Sequence, residues 1–423
     1  MKIIDFAKKI QKFYRSLSGQ GNIETLELIR DYSSSKLKIK HFKSGSKVFD
    51  WIIPDEWEIK DAYILTPGKK KICEYKKNFL HVVGYSKKVN MKISLNNLKE
   101  KLYSSKKLKN AIPYVTSYYK KDWGFCLPYN QKKRLKKGNY KVFIDSNFKK
   151  GKIHYGECIL NGKSKNEVFF STYICHPFMA NNEISGPTVL TFLINWIERN
   201  FSNLNYTYRF IFIPETIGSI AYLNKNLKIL KKNTFAGFNI TCVGDERFFS
   251  MIPSRNGNTY SDKILNYVLS DKAKKFKKYN WEDRGSDERQ YCSPGIDLPI
   301  ATFCKSKFGT FPEYHTSADD FGNLVTNKGL NESLEVLKKI IEIIEKNEKP
   351  ISKIFCEPFL TKYNLYPSVS RVDNDKVYSK KILNFLTWSD GNFDLLDISK
   401  KLNISFEEIL EIHSLLKQNN FIK

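Results

Sequence analysis

The residues able to do chemistry in this chain cluster where apolar runs end. In STYICHPFMANNEISGPTVL, residues 171–190, a β-like run closes on Cys175, His176 and Pro177. Asn181, Asn182 and Glu183 follow, before Ser185 and Gly186 open a helical pattern. FIFIPETIGS, residues 210–219, ends on Glu215 and Thr216, and NITCVGDER, residues 239–247, ends on Cys242, Asp245 and Glu246. RGSDERQYCSPGI, residues 284–296, carries Asp287, Glu288 and Arg289 ahead of a further apolar run, and FPEYHTSADD, residues 311–320, supplies Glu313, His315, Asp319 and Asp320 after it. The chain has only six histidines, and two of them, His176 and His315, fall at such ends beside carboxylates. Imidazole with carboxylate is the donor set of catalytic zinc, which keeps a position open for water. The metal activates that water and polarises a carbonyl, and a neighbouring carboxylate takes the proton. Glu215 suits that role. A histidine at a strand end also serves as a structural hydrogen-bonder, so each residue alone carries either reading.

Such residues need strands to hold them at one edge of a sheet. Between about residues 140 and 346 the pattern alternates strand and helix. The apolar runs at 167–175, 206–215, 235–244 and 298–306 read as strands buried on both faces, and 185–200, 218–226 and 331–347 read as helices, with Ser185 as an N-cap. This predicts an α/β sandwich with helices on both faces of a largely parallel sheet, whose ligands bind beyond the carboxyl ends of the strands. Residues 140–148 and 151–160 read as an antiparallel pair. Residues 1–47 read as helices of the same core. Residues 48–130 are richer in short β-like runs, such as 61–66 and 79–85, and in Pro, Gly and Lys, which marks a small inserted β-rich domain. The core then spans 131–347, and 348–423 has the helix, short helix, turn, helix layout of a winged helix. Residues 131–152 hold nine basic residues and one acid, a solvated hairpin or an anion-binding face.

The 423 residues imply two or three domains, and 41% apolar with 27% charged residues fits a globular protein. The net charge of +27 admits a polyanionic partner, but lysine-rich composition explains it equally. Eight cysteines are scattered without a CxxC pair, the usage of a reducing compartment. No apolar run suits a signal peptide or a membrane span, so the expectation is a cytoplasmic protein with no membrane partner.

CHPFMANNEISG, PETIGS, GSDERQYCSPGI and PEYHTSADD, in this order, resemble a bacterial aminopeptidase-like family related to zinc aminopeptidases and glutaminyl cyclases. Its members combine a peptidase core, an inserted β-rich domain and a C-terminal winged helix, and tend to be encoded near polysaccharide biosynthesis genes. The resemblance covers nearly the whole chain. It implies a phosphorylase/hydrolase-like three-layer α/β/α sandwich, the zinc aminopeptidase fold. His176 and His315 take the places of metal-binding histidines and Glu215 that of the base. Asn182 stands where an aspartate bridges two metals, Thr216 where a second glutamate binds, and Thr241 or Cys242 where a further aspartate binds. The departures favour one zinc ion, held by His176, His315 and an oxygen of Asn182, with Asp287, Glu288 or Glu183 as substitutes and Asp319 orienting His315. Glu215, Asp287 and Glu288 are the catalytic candidates. Three functions follow: a zinc-dependent hydrolase of a small peptide or amide, an amide hydrolase or acyl-transfer enzyme on an amino-sugar intermediate of surface polysaccharide, and a DNA-binding regulator. A fold that has lost its metal and its catalysis is the alternative to the first two. Residues 351–423 carry ten basic and nine acidic residues, and the last helix holds Glu407, Glu408 and Glu411. DNA binders need basic docking faces, so no specific nucleic-acid partner is expected, and the winged helix is assigned to packing or homo-oligomer formation.

Overall fold

Apolar runs buried on both faces form the middle of an eight-stranded sheet. The computed structural model describes every residue except 34–35, 274–275, 364 and 366–373, and the chain divides into two units, Met1–Lys338 and Lys339–Lys423. The sheet contains β1 (Lys38–Lys43), β2 (Lys152–Leu160), β3 (Glu167–Tyr173), β4 (Thr207–Ile213), β5 (Thr234–Ile240), β6 (Ser250–Ile252), β7 (Lys277–Lys278) and β8 (Ile300–Cys304), in the order β1-β2-β4-β3-β5-β8-β6-β7. The central β4, β3, β5 and β8 run parallel, whereas β1, β2 and β6 join antiparallel to their inner neighbours. Every residue of β3, β4 and β8 is buried, as parallel strands covered on both sides require.

Successive residues of a strand face opposite layers, and β3 shows both. Ser171 shares a 2.7 Å hydrogen bond with Tyr291 on one side. On the other, Gly186, at the start of helix Ser185–Asn200, packs so closely that a Cβ would collide with Thr172 Oγ1 and lie 2.6 Å from the Ile240 carbonyl oxygen. Helices Ile3–Gln11 and Gln20–Ser33 pack against Ser185–Asn200, and Ile217–Asn233 lies in the apolar cluster that includes Phe169, Ile211 and Tyr291. The fold is the three-layer α/β/α sandwich expected. Ser185 is not an N-cap, however. A single π-helical turn, Ala180–Ile184, runs directly into the helix, and Ser185 Oγ instead donates to Asn181 O and accepts from Val243 N–H. Residues 1–47, read as helices, also contribute β1, which its lysine-rich sequence hides.

A second, antiparallel sheet of four strands, Lys71–Ile72, Glu56–Leu65, Asn139–Lys149 and Val89–Ser94, packs on its own core of Ala62, Ile64, Leu98, Phe125, Val142 and Ile144. Asn139–Lys149 and Lys152–Leu160 are therefore not a pair. The first alternates in burial and joins the small sheet, while the second has a nearly continuous buried run and joins the large one. Residues 79–85 form no strand: Asn78 caps a turn of 3-10 helix, Phe79–His81. The basic stretch from 131 onward is the end of helix Tyr129–Lys133 followed by a strand, not a hairpin.

In the second unit, helices Asn374–Thr387, Leu395–Leu402 and Phe406–Gln418 bury Phe385, Leu396, Ile398, Ile409 and Ile412. Asp394 and Asp397 form a capping box, and Ser405 caps the last helix. The terminal Phe421 and Ile422 are buried, with Ile422 bridged to Ser352. Among the described residues no helix is long and apolar enough to cross a membrane. All eight cysteines are free, and seven are buried.

Candidate active site

His176 sits just beyond β3, on a loop fixed from beneath by the N-terminal segment. Buried Arg15 donates to the His176 carbonyl at 3.0 Å, and Asn22 donates to the Ile174 carbonyl at 3.2 Å. His315, far along the chain, comes to face it, with ring centroids 5.4 Å apart. Tyr114 brackets both rings, its centroid 4.8 Å from His176 and 5.3 Å from His315, and its backbone N–H donates to His315 O at 2.8 Å. Tyr314 stacks on His315 at 3.9 Å. The π-helical turn brings the Glu183 carboxylate onto His176 Nδ1, which leaves Nε2 as the free nitrogen, the arrangement by which a carboxylate orients a ligating imidazole.

Glu215 follows β4. Its N–H donates to Cys175 Sγ at 3.2 Å, and Ser286 hydrogen-bonds its carboxylate. Thr216, at φ 64°, is a β-branched residue in left-handed space, a strained conformation that the surroundings must enforce. Asp287 does so: its Oδ1 accepts from Thr216 N–H at 2.8 Å and from Ser219 Oγ at 2.7 Å. Arg289 donates to Thr216 Oγ1 at 2.7 Å. These groups open on a cleft of about 530 Å³ whose walls include His176, Glu215, Arg289, His315, Tyr114 and Trp51.

The remaining candidates lie elsewhere. Glu288 accepts from Gly285 and Ser286 N–H with one oxygen and from Asn239 and Thr302 with the other, so it ties its own turn to β5 and β8. Asn182 Oδ1 accepts from Tyr173 OH at 2.9 Å, Tyr173 OH also bonds Thr241, and Asn182 Nδ2 is buried without a partner. Asp319 does not hold the His315 ring. Its two oxygens take the N–H groups of Asn181 and Asn182 at 2.5 and 2.9 Å, because the π-helical turn presents both donors together. Arg15, Trp51 and Tyr114 arrive from segments read as scaffold, and nothing local marks the first two. The run IPYVTSYY, residues 112–119, with its three tyrosines was the available signal.

Burial lowers the pKa of His176, but the charge and hydrogen bond of Glu183, with Glu215, outweigh it and the net shift is upward. Burial, then the charge of His176, pulls His315 down to about 3, so that imidazole is neutral. Burial raises Glu215, with His176 opposing. Burial, then Glu215, pushes Asp287 up to about 8.

These donors suit one metal ion better than two. His176 Nε2 and neutral His315 are imidazole donors on one cleft, which also holds the Glu215 carboxylate. The places where the resemblance puts further anionic ligands hold Asn182, Thr216 and Thr241 or Cys242, none of them a carboxylate, and Tyr173 OH ties Asn182 to Thr241. Cys175, His176 and Glu183 also bring donor atoms within 4.8 Å of each other, but burial, then Glu183, pushes the Cys175 thiol well up and keeps it a poor ligand.

Residues 4–347 match the family described as a domain of unknown function, DUF4910. The chain belongs to that family. Residues 349–423 match a winged helix-turn-helix family. A Clostridium acetobutylicum protein, named for polysaccharide biosynthesis and an aminopeptidase-like domain, is 37% identical over 409 residues, covering 96% of this chain and 93% of that one. A crystal structure of a candidate peptidase from Clostridium acetobutylicum superposes with a TM-score of 0.91 at 36% identity, covering 100% of this chain and 95% of that one. A zinc aminopeptidase from Bacillus subtilis superposes with a TM-score of 0.59 at 13% identity, over 81% of this chain and 94% of its own, which shows a shared fold. This DUF4910 chain is thus aminopeptidase-like in architecture and carries a C-terminal winged helix.

Proposed function

We propose that this chain is a zinc-dependent hydrolase of a small peptide or amide, acting in surface-polysaccharide synthesis. The observation that carries the reading is the meeting of His176, His315 and Glu215 on one cleft at the ends of β3 and β4. His176 and His315 would hold the ion, which supplies Lewis-acid polarisation of the scissile carbonyl when bound. Glu215, with its pKa raised by burial against the opposing charge of His176, takes a proton from the attacking water and returns it to the leaving amine. Asp287, protonated at neutral pH, fixes the Thr216 turn without setting a second negative charge beside that base. Asn182 is held by Tyr173 away from the cleft walls, which leaves two imidazoles as the neutral ligands, so the ion should be readily removed by chelators. The link to polysaccharide rests on the name of the Clostridium acetobutylicum relative, and an amino-sugar amide is the substrate class consistent with it. A second reading, a non-catalytic descendant of the fold, is favoured by the neutral Asn182–Tyr173–Thr241 cluster.

Elemental analysis of protein purified without added metal separates the two. Zinc near one equivalent in the parent, lost in His176→Ala and in His315→Ala with circular dichroism unchanged, is the expected result. Zinc retained in the double variant, or absent from the parent even after zinc is supplied, sinks the metal-dependent reading.

A further inference from the structure

The cleft offers more than the reacting groups. At its rim stand Trp51, 40% exposed, and Tyr119, 54% exposed, with ring centroids 6.1 Å apart. Trp51 belongs to a two-stranded hairpin, Lys47–Val48 with Trp51–Ile52. Tyr119 OH donates to the Ile52 carbonyl at 2.7 Å, so the two rings are latched beside each other at the mouth. Large exposed aromatic surfaces grouped at a cleft mark a contact site. Deeper in, Tyr114 and Tyr118 share a 3.2 Å hydrogen bond, and burial raises both phenols well above their ordinary value, so this wall is neutral.

Against these walls stands one exposed guanidinium. Arg289 bonds Thr216 Oγ1, and its charge is felt by Glu215 and Asp287, yet among the described residues it forms no ion pair. A single hydrogen bond leaves most of its five donors available, and guanidinium matches carboxylate or phosphate in two-point fashion. It is tethered where the resemblance places a metal-ligating glutamate, so the cleft has exchanged an anion for a cation at that point.

We infer that Trp51, Tyr119 and Arg289 form a substrate subsite for a ring that carries an oxyanion, such as an acidic or phosphorylated sugar. This rests on the cleft being the substrate site and names the substrate class for it. The ring lies on the aromatic pair and the oxyanion meets Arg289, which holds the neighbouring amide near Glu215.

Binding of glucuronate, glucose 1-phosphate and glucose to the full chain, followed by titration calorimetry at about 150 mM salt, tests this without any need for turnover. At least one of the two anionic sugars should bind about tenfold or more tighter than glucose, the range of one charge-assisted contact. The preferred anion identifies carboxylate or phosphate as the source. Arg289→Gln should erase the preference, and Trp51→Ala should weaken all three sugars together. Lys136→Gln, which removes an exposed charge elsewhere, should leave the preference intact. Glu215→Gln should still bind, so loss of catalysis and loss of this subsite are told apart. Equal binding of the three sugars, no binding at all, or a preference that survives in Arg289→Gln or falls equally in Lys136→Gln overturns the inference.

Discussion

Glu215 is half-buried beside a fully buried second carboxyl, Asp287, and that neighbour makes stability depend on pH. The unfolded chain ionises Asp287 from about pH 4, whereas the folded chain keeps its proton to about pH 8. Between those values the unfolded state has released a proton that the folded state retains, so stability falls as pH rises through the window. Asp287→Asn keeps the oxygen that accepts from Thr216 and Ser219 and removes the ionisation. In EDTA-treated protein it should match the parent near pH 4 and exceed it by roughly 1–3 kcal/mol at pH 8. Parallel melting profiles for the two across that range would rule this out. Glu215→Gln removes a carboxyl whose ionisation burial also disfavours, so it should melt no lower than the parent at neutral pH but lose roughly 10²–10⁴-fold in kcat on an amide substrate, and unchanged turnover would remove Glu215 from the role of base. His176 and Glu215 were legible in the sequence because each directly follows an apolar run buried on both faces, which fixes where its side chain emerges, whereas His315, eleven residues beyond β8, was marked only by its carboxylate neighbours. Arg15 and Trp51 were not, since nothing local in their segments marks the loop or cleft they reach.

At the scale of elements, the parallel strands could be read because burial on both faces writes itself as unbroken apolar runs. Pairing could not. Asn139–Lys149 and Lys152–Leu160 are sequence neighbours, and only the difference between alternating and continuous burial sends them to separate sheets. The π-helical turn was hidden for a related reason: the bonds that hold it come from Asp319, more than a hundred residues away. The contact between helix Ser185–Asn200 and the sheet is testable at Gly186. Gly186→Ala should destabilise by roughly 1–3 kcal/mol, because the added methyl meets Thr172 and the Ile240 carbonyl. Gly68→Ala, with nothing within 4 Å, should stay within about 0.5 kcal/mol. Urea melts of both variants provide the comparison, and equal shifts would show that the interface yields.

For the whole molecule, charge and architecture point different ways. The net charge is +27, yet residues 351–423 hold ten basic and nine acidic residues, and Glu408 of the last helix is paired with Lys381. Deleting 351–423 should therefore leave weak, salt-sensitive DNA binding unchanged at about 150 mM salt, while altering assembly or solubility through loss of a module with its own core. Anisotropy titration and gel filtration measure the two effects. Sequence-selective binding that disappears with the tail would restore the regulator among the three functions.

The N-terminal segment that underpins the cleft also sets a clock. Gln11 donates to Asp320, 309 residues further on, and Arg15 reaches His176 across 161 residues. At ordinary synthesis rates the first of these contacts waits ~15–60 s for its partner to be made. Until helix Ser185–Asn200 is made, ~10–35 s into synthesis, the apolar face of helix Ile3–Gln11 keeps both its water and its affinity for other chains. Contacts so distant in sequence form slowly even in the finished chain. The cleft should be among the last parts of the molecule to close, and a newly made chain should pass through a stage in which the sheet and the N-terminal helix are packed while the cleft is still open.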